Sequence, residues 1–438
     1  MFTPHIKNTV VHPRSGSSLC AGFTIIKKDK QTRARLGVLV TPHGVIKTPS
    51  YVFVGTYGKF LHLKPSDIPK TKSQLVIANT FHLWDTVLQS NESMRQLAEK
   101  NKKLDTFLTQ KLGLNIPTMT DSGGFQVLSL AFGDKNKVGK FMTGDSKPDA
   151  SYKRSKIRIT QKGVHFNFNL PAGRQEASKW RFLGPELSMK LQSKIGADII
   201  FAFDQITSPL DDYEYNRKAV ELTDKWAKIC LKEHEKQILL RQGYGRPRQM
   251  LFGIVQGGLF KDLRIKSAKS IGSMPFDGFG IGGSYTKKQI SKMLKWVVPY
   301  LPQEKPRHLL GVGKVADIFE AIDNGIDTFD CVIPTREARH GRLYTKTGHM
   351  DIRRGAFSND EKMIEKGCGC LTCSSKISRS KIRALIKNED RELNAKGQRW
   401  CLMHNMWFFN NLLNEIRASL ARGSYQSYKT KFLKKFNS

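Results

Sequence analysis

Acidic residues are scarce in this sequence. Thirty-eight Asp and Glu face 73 Lys and Arg, which leaves a formal charge of +35 over 438 residues. The surplus is spread along the whole chain, and it predicts a polyanionic partner, because phosphates held by Lys and Arg release their counterions. Nucleic acid is the first candidate and an anionic membrane surface the second; lysine-rich coding is the bland alternative. Long apolar runs are also missing. Stretches such as LVIA (75–78) end in polar residues, far short of the roughly 18 needed to cross a bilayer. Seven cysteines are too few and too unevenly placed for a secreted disulfide framework. The first 28 residues hold no Asp or Glu and no signal-peptide core, but carry Lys7, Arg14, Lys27 and Lys28. Residues 1–21 are read as a basic, solvated arm, with a transit segment as the other reading, and the protein is expected to be cytoplasmic. What is plentiful is core material: 39% apolar residues exclude a disordered chain.

Residues 22 to 54 alternate short apolar runs with turns, which predicts an antiparallel β unit leading into a buried strand. Beyond it a rhythm repeats, in which an apolar run ends in a polar or glycine residue and a helix-like segment follows. Eight such runs end at Gly55, Asn79, Asp121, Asp204, Gln256, Gly282, Gly313 and Asp330. Helices are expected at 94–113, 185–197, 213–240 and 315–325. Continuous apolar strands alternating with helices predict a parallel sheet, and eight of them an α/β (β/α)8 barrel over 22–356. Chemistry in that fold sits at the C-terminal strand ends, where Asp121, Asp204, Gln256 and Asp330 would converge on one mouth. Residues 131–182, rich in lysine and punctuated by Gly and Pro, read as an excursion with a hairpin through KIRIT and VHFNFNL. Residues 357–438 read as a helical subdomain with a basic face and an acid-free tail.

Cys368, Cys370 and Cys373 place three thiols in six residues, and a fourth ligand is expected from elsewhere. His404 is the natural candidate for a closed structural zinc site, with Cys401 one helical turn away as its competitor. Two Gly-rich turns, at 121–126 (including Ser122 and Phe125) and at 280–283 (including Gly282 and Gly283), let backbone amides approach a planar ligand or, on the other reading, nest a phosphate. Asp330 is followed closely by Arg336 and Arg339. A carboxylate beside phosphate-binding arginines suits attack on a sugar carried by a phosphate backbone, and a structural salt bridge is the alternative.

The blocks DSGGFQVLSL, IVQGG, GFGIGG, LLGVGKVADIFEAIDNGIDTFDCVIPTREARHG and CGCLTC…HN, in this order from about Arg33 to the helix after His404, resemble the signature of the tRNA-guanine transglycosylases. The resemblance implies a (β/α)8 barrel with a C-terminal zinc subdomain that exchanges guanine at the tRNA wobble position of G-U-N anticodons for a 7-deazaguanine base. It implies Asp330 as nucleophile on C1′ of the ribose, Asp121 as general acid/base, and Asp204, Gln256, Ser122, Gly282 and Gly283 around the base. Phe125 and Leu310 would sandwich the ring, and Arg336 and Arg339 would hold the anticodon loop. Gln205, Ile206, Ser284, Tyr285 and Thr286 depart from the pattern of members that use preQ1 (7-aminomethyl-7-deazaguanine). The incoming base is therefore expected to be queuine or preQ1, with a lean to queuine. Family members are commonly homodimers, and MWFFNN (406–411) is apolar enough for an interface or for packing on the barrel. A non-catalytic partner subunit is the alternative function, although Asp330 and Asp121 are both present.

Overall fold

The computed structural model describes residues 22–89, 106–131, 157–167, 180–209, 211–283 and 289–436. The expected N-terminal arm, most of the helix at 94–113, and Ser284, Tyr285 and Thr286 lie outside these residues.

Three antiparallel strands, β1 (Gly22–Lys28), β2 (Arg35–Thr41) and β3 (Gly44–Thr48), form the N-terminal sheet. The barrel strands are β4 (Ser50–Val54), β5 (Val76–Ala78), β6 (Thr118–Thr120), β10 (Ile199–Phe201), β11 (Met250–Val255), β12 (Gly278–Ile281), β13 (Arg307–Leu309) and β14 (Thr328–Asp330). They close in that order, all parallel, with β14 pairing back onto β4. The eight apolar runs of the sequence are the eight staves. Two end earlier than the sequence suggests: β10 stops at Phe201, ahead of Asp204, and β13 stops at Leu309, where Gly311 turns the chain at φ +77°, so that Leu310 rather than Gly313 reaches the mouth.

Period-two alternation divides two cores. Val52, Ile77, Met119, Ile199, Phe201, Phe252 and Ile254 fill the barrel, and Leu39 and Ile46 from the N-terminal sheet join them. That sheet closes the N-terminal end, where His43 Nδ1 lies 2.5 Å from Asp198 Oδ1 at the start of β10. Outward residues such as Tyr51, Phe53 and Phe203 pack under the helices. The helices follow local rules. Helix Pro185–Ile195 starts on a proline and stops at left-handed Gly196, and helix Tyr213–Gly243 is capped by the Asp212 carboxylate on the amide of Tyr215. After β6, the hairpin β7 (Ile157–Thr160) and β8 (Gly163–Phe166) gains a third strand, β9 (Arg181–Leu183), which the sequence did not announce.

Past the barrel, β15 (Arg342–Thr345) and β16 (Gly348–Asp351) form a hairpin against the long helix Arg391–Arg422. That helix resolves the two readings of MWFFNN. Met406, Trp407, Phe408, Phe409 and Asn410 are buried within the chain, with Phe409 5.3 Å from the ring of Tyr51 on β4. The stretch packs on the barrel, and an interface role for it is set aside. The acid-free tail is also a docked element. It forms helix Tyr425–Phe436, whose Tyr425 hydroxyl donates to Asp323 at 2.8 Å and whose Phe432 packs on Phe319. Among the described residues no helix is long and apolar enough to cross a membrane.

Candidate active site at the barrel mouth

Consecutive strands around the barrel deliver Asp121 (after β6), Asp204 (after β10), Gln256 (after β11), Gly282 and Gly283 (after β12), Leu310 (after β13) and Asp330 (at the end of β14) to one rim. Phe125 stands in the first turn of the helix Gly124–Ala131, also on the β6 side. In an eight-stranded ring β6 and β13 are diametrically opposed, so Phe125 and Leu310, both half-buried, approach the mouth from opposite walls.

Asp121 is held by its neighbours. The amides of Thr80 and Gly123 each donate to Oδ1 at 3.1 Å, and Asn79 Nδ2 donates to Oδ2. Burial is the largest influence on this carboxyl, and with help from the nearby charge of Asp330 it outweighs the hydrogen bonds, so the pKa is pushed up to about 7. Asp204 accepts from Gln256 Nε2 at 2.6 Å and from Ser122 Oγ at 3.4 Å, and burial raises its pKa to about 6. Gln256 Oε1 is buried and accepts no hydrogen bond among the described residues. An unsatisfied buried acceptor beside a buried carboxyl leaves room at this rim for a donor group.

Beneath this ledge lies Arg264, fully buried, donating to the carbonyls of Gly258 at 2.8 Å, Val255 at 3.3 Å and Gly282 at 2.6 Å. Gly283 adopts φ +92°, and a Cβ there would come within 2.6 Å of Gln256 Oε1 and 2.8 Å of Arg264 Nη2. Both backbone conformation and space require glycine. Gln205, next to Asp204, is turned aside: its Nε2 donates to the Tyr215 hydroxyl and the Ile206 carbonyl, each at 3.2 Å.

Asp330 Oδ1 lies 3.1 Å from His308 Nε2 and accepts from the amide of Gly311 at 3.4 Å. The next turn, helix Ile333–Arg339, presents Arg336 exposed and Arg339 half-buried. Neither arginine makes an ion pair among the described residues. The carboxylate between them, Glu337, is taken by the Tyr344 hydroxyl at 2.5 Å and by Arg342 at 3.5 Å. Burial and the charge of Arg336 both lower the pKa of Arg339. Arg339 lines a cleft of about 410 Å³ with Leu61, His62, His340, Arg353 and Gln398.

The cysteine cluster assembles as the spacing suggests. Sγ atoms of Cys368, Cys370 and Cys373 lie 3.8, 3.3 and 3.7 Å from His404 Nδ1, and all four donor atoms fall within 4.8 Å of one another. Those separations suit a tetrahedral ion bound at its usual ligand distances. His404 Nε2 is fixed by the Tyr344 carbonyl at 2.7 Å, which aims Nδ1 at the thiols. Cys401 stands outside the cluster, buried, its thiol pushed up to about 12 by burial, and is not the fourth ligand. Adjacent Asn405 donates to the carbonyls of Pro334 (3.1 Å) and Arg342 (3.0 Å) and accepts from the amide of Tyr344. The helix that carries His404 thereby clamps the helix that carries both arginines.

Stripping a bound metal with a chelator is expected to lower the thermal midpoint by on the order of 5–10 °C, because Cys370, Cys373 and His404 are buried and Cys368 is half-buried, so the four donors join the loop to this helix inside an apolar cluster. Calorimetry with and without metal restoration checks this. An unchanged midpoint would show the cluster to be structurally dispensable.

The chain matches the family model described as queuine tRNA-ribosyltransferase over residues 29–438. It belongs to that family. A relative from Symbiobacterium thermophilum named "Queuine tRNA-ribosyltransferase" is 36% identical over 95% of this chain and 91% of its own. A relative of the same name from Clostridium perfringens is 35% identical over 95% and 98%. The Archaeoglobus fulgidus protein named "Putative queuine tRNA-ribosyltransferase" is 35% identical over 92% and 96%. Membership makes this chain an enzyme, a transferase of the glycosyl-transfer type. It also accords with the barrel mouth, the buried carboxyls and the Cys3His cluster described above.

Sequence reasoning passed over three residues that shape the site. Asn79 closes an apolar run and so carried a signal. His308 did as well, as a polar residue just ahead of the apolar pair Leu309–Leu310. Arg264 carried none, since an arginine on a helix ordinarily faces water.

Proposed function

We propose that this enzyme exchanges guanine-34 of G-U-N tRNAs for a 7-deazaguanine base, queuine or preQ1 with a lean to queuine, in queuosine modification. The observation that carries the reading is the pairing of Asp330, constrained on one oxygen only, with Asp121, a buried acid poised at about 7. The Asp330 carboxylate attacks C1′ as the C1′–N9 bond breaks, and the bonding electron pair leaves with guanine. Protonated Asp121 supplies guanine's proton. In the second half the incoming base gives its N9 proton to Asp121, its nitrogen attacks C1′, and Asp330 is released as a carboxylate. Glycosyl bonds are exchanged with no water consumed.

Asp204, Gln256 Oε1, Ser122 and the Gly283 amide recognise the base edge, and Gly282 lets the ring lie close to the backbone. Phe125 and Leu310 sandwich the ring after it leaves its stack. Arg336 and Arg339, without an acidic ion-pair partner among the described residues, hold anticodon-loop phosphates, an assignment consistent with the +35 net charge. Cys368, Cys370, Cys373 and His404 hold one structural Zn2+, which orders the arginine helix and takes no part in the chemistry.

The test is release of labelled guanine from position 34 of a G-U-N tRNA with queuine or preQ1 supplied. Base-dependent release establishes the exchange and names the base. Tight tRNA binding without release for either base would instead favour a non-catalytic tRNA-binding subunit.

A further inference from the structure

His308 is fully buried on β13, 20 residues from Thr328 and 22 from Asp330 in sequence, yet it touches both. Its Nδ1 lies 2.9 Å from Thr328 Oγ1 and its Nε2 3.1 Å from Asp330 Oδ1, while Phe201 packs its ring centroid 5.3 Å away on the barrel side. A carboxylate oxygen only accepts, so the Nε2 that faces it carries a hydrogen. In the neutral ring Nδ1 is then the acceptor, and the Thr328 hydroxyl is the donor that selects this tautomer. The Gly311 amide is the second donor to the same oxygen at 3.4 Å. Asp330 Oδ2 accepts no hydrogen bond among the described residues.

We infer that His308, oriented by Thr328, is a positioning residue that immobilises Asp330 through Oδ1 and so assigns Oδ2 as the oxygen that bonds to C1′. This rests on Asp330 being the nucleophile. In the covalent intermediate Oδ1 becomes the ester carbonyl and keeps both donors. The same donors stabilise the charge that returns to the carboxylate when the incoming base displaces it, so His308 serves both half-reactions. A carboxylate free to rotate about χ2 would lose the alignment that brings its oxygen into line with the scissile bond.

The test compares His308→Phe, His308→Gln, Thr328→Val and Asp330→Ala in steady-state base exchange on full-length protein. His308→Phe keeps a planar ring and removes the donor. It is expected to lower kcat roughly 10- to 100-fold with KM for tRNA within about threefold, as misalignment of a bound nucleophile should. His308→Gln returns an N–H close to the Nε2 position and is expected to recover most of the loss. Thr328→Val, close in volume, is expected to lose roughly three- to tenfold and decides the matter if His308→Phe does not fold. Full activity of His308→Phe, or equal losses in the Phe and Gln variants with none in Thr328→Val, overturns the inference. Activity retained by Asp330→Ala overturns the nucleophile reading instead, so the two failures are distinct.

Discussion

Asp330→Asn is expected to abolish the covalent adduct between enzyme and tRNA and to reduce base exchange at least about 10³-fold, while tRNA affinity changes little. The substitution is unusually clean here. His308 Nε2 and the Gly311 amide both address Oδ1, and the amide oxygen of asparagine accepts from both as the carboxylate does. The side chain keeps its place and loses only its charge and its nucleophilic oxygen. A denaturing gel of enzyme incubated with labelled tRNA reads the adduct, and filter binding reads the affinity. An adduct that persists in the asparagine variant would move the nucleophile elsewhere on the rim.

Asp121→Asn is expected to cost 10²–10⁴-fold, the usual worth of a positioned general acid/base. It should also remove a pH limb. Burial raises the folded-state pKa of Asp121 to about 7, so the carboxyl is largely protonated below that value and loses its proton as pH rises through it. Guanine departure needs the acid form. The kcat/KM for tRNA in single-turnover guanine release should therefore fall tenfold per pH unit above about 7, and the asparagine variant should show a flat, low profile over the same range. A wild-type profile flat from pH 6 to 9 would assign proton delivery to another group. The raised pKa has a cost in the free enzyme: above about pH 7 the buried Asp121 must be held charged in the folded state, and stability contributed there returns only as pH falls toward the unfolded value. Asp204, raised to about 6, adds a burden of the same sign. Such strain is ordinary for sites tuned to bind polar ligands.

The linear order of the chain carried a large part of this architecture. Each barrel stave is a buried apolar run that stops at a polar or glycine residue, and the rim of a parallel barrel is by construction the set of those stops. Asp121, Asp204, Gln256 and Asp330 were thus visible as one constellation before any coordinates. Cys368, Cys370 and Cys373 were equally visible, because metal ligation demands thiols at short spacing. His404 over Cys401 was a choice between helix faces, and the backbone settled it by turning Nδ1 to the thiols and Cys401 into an apolar cluster.

Other features arise only where distant segments meet. His308 reaches Asp330 because neighbouring staves β13 and β14 run in register, and Asn79 reaches Asp121 across β5 and β6 for the same reason. The apolar MWFFNN stretch has the composition of either an interface or a core, and the outward face of β4 claimed it. The lysine-rich tail carries no acidic partner of its own, yet Asp323 and Phe319 give its helix a berth. Sequence by itself determined the alternation, the rim and the cluster of three thiols, since these depend on local periodicity and spacing. Tertiary structure alone decided which buried partner each polar group meets, because burial energies and pKa values depend on neighbours that the chain brings together only by closing the barrel.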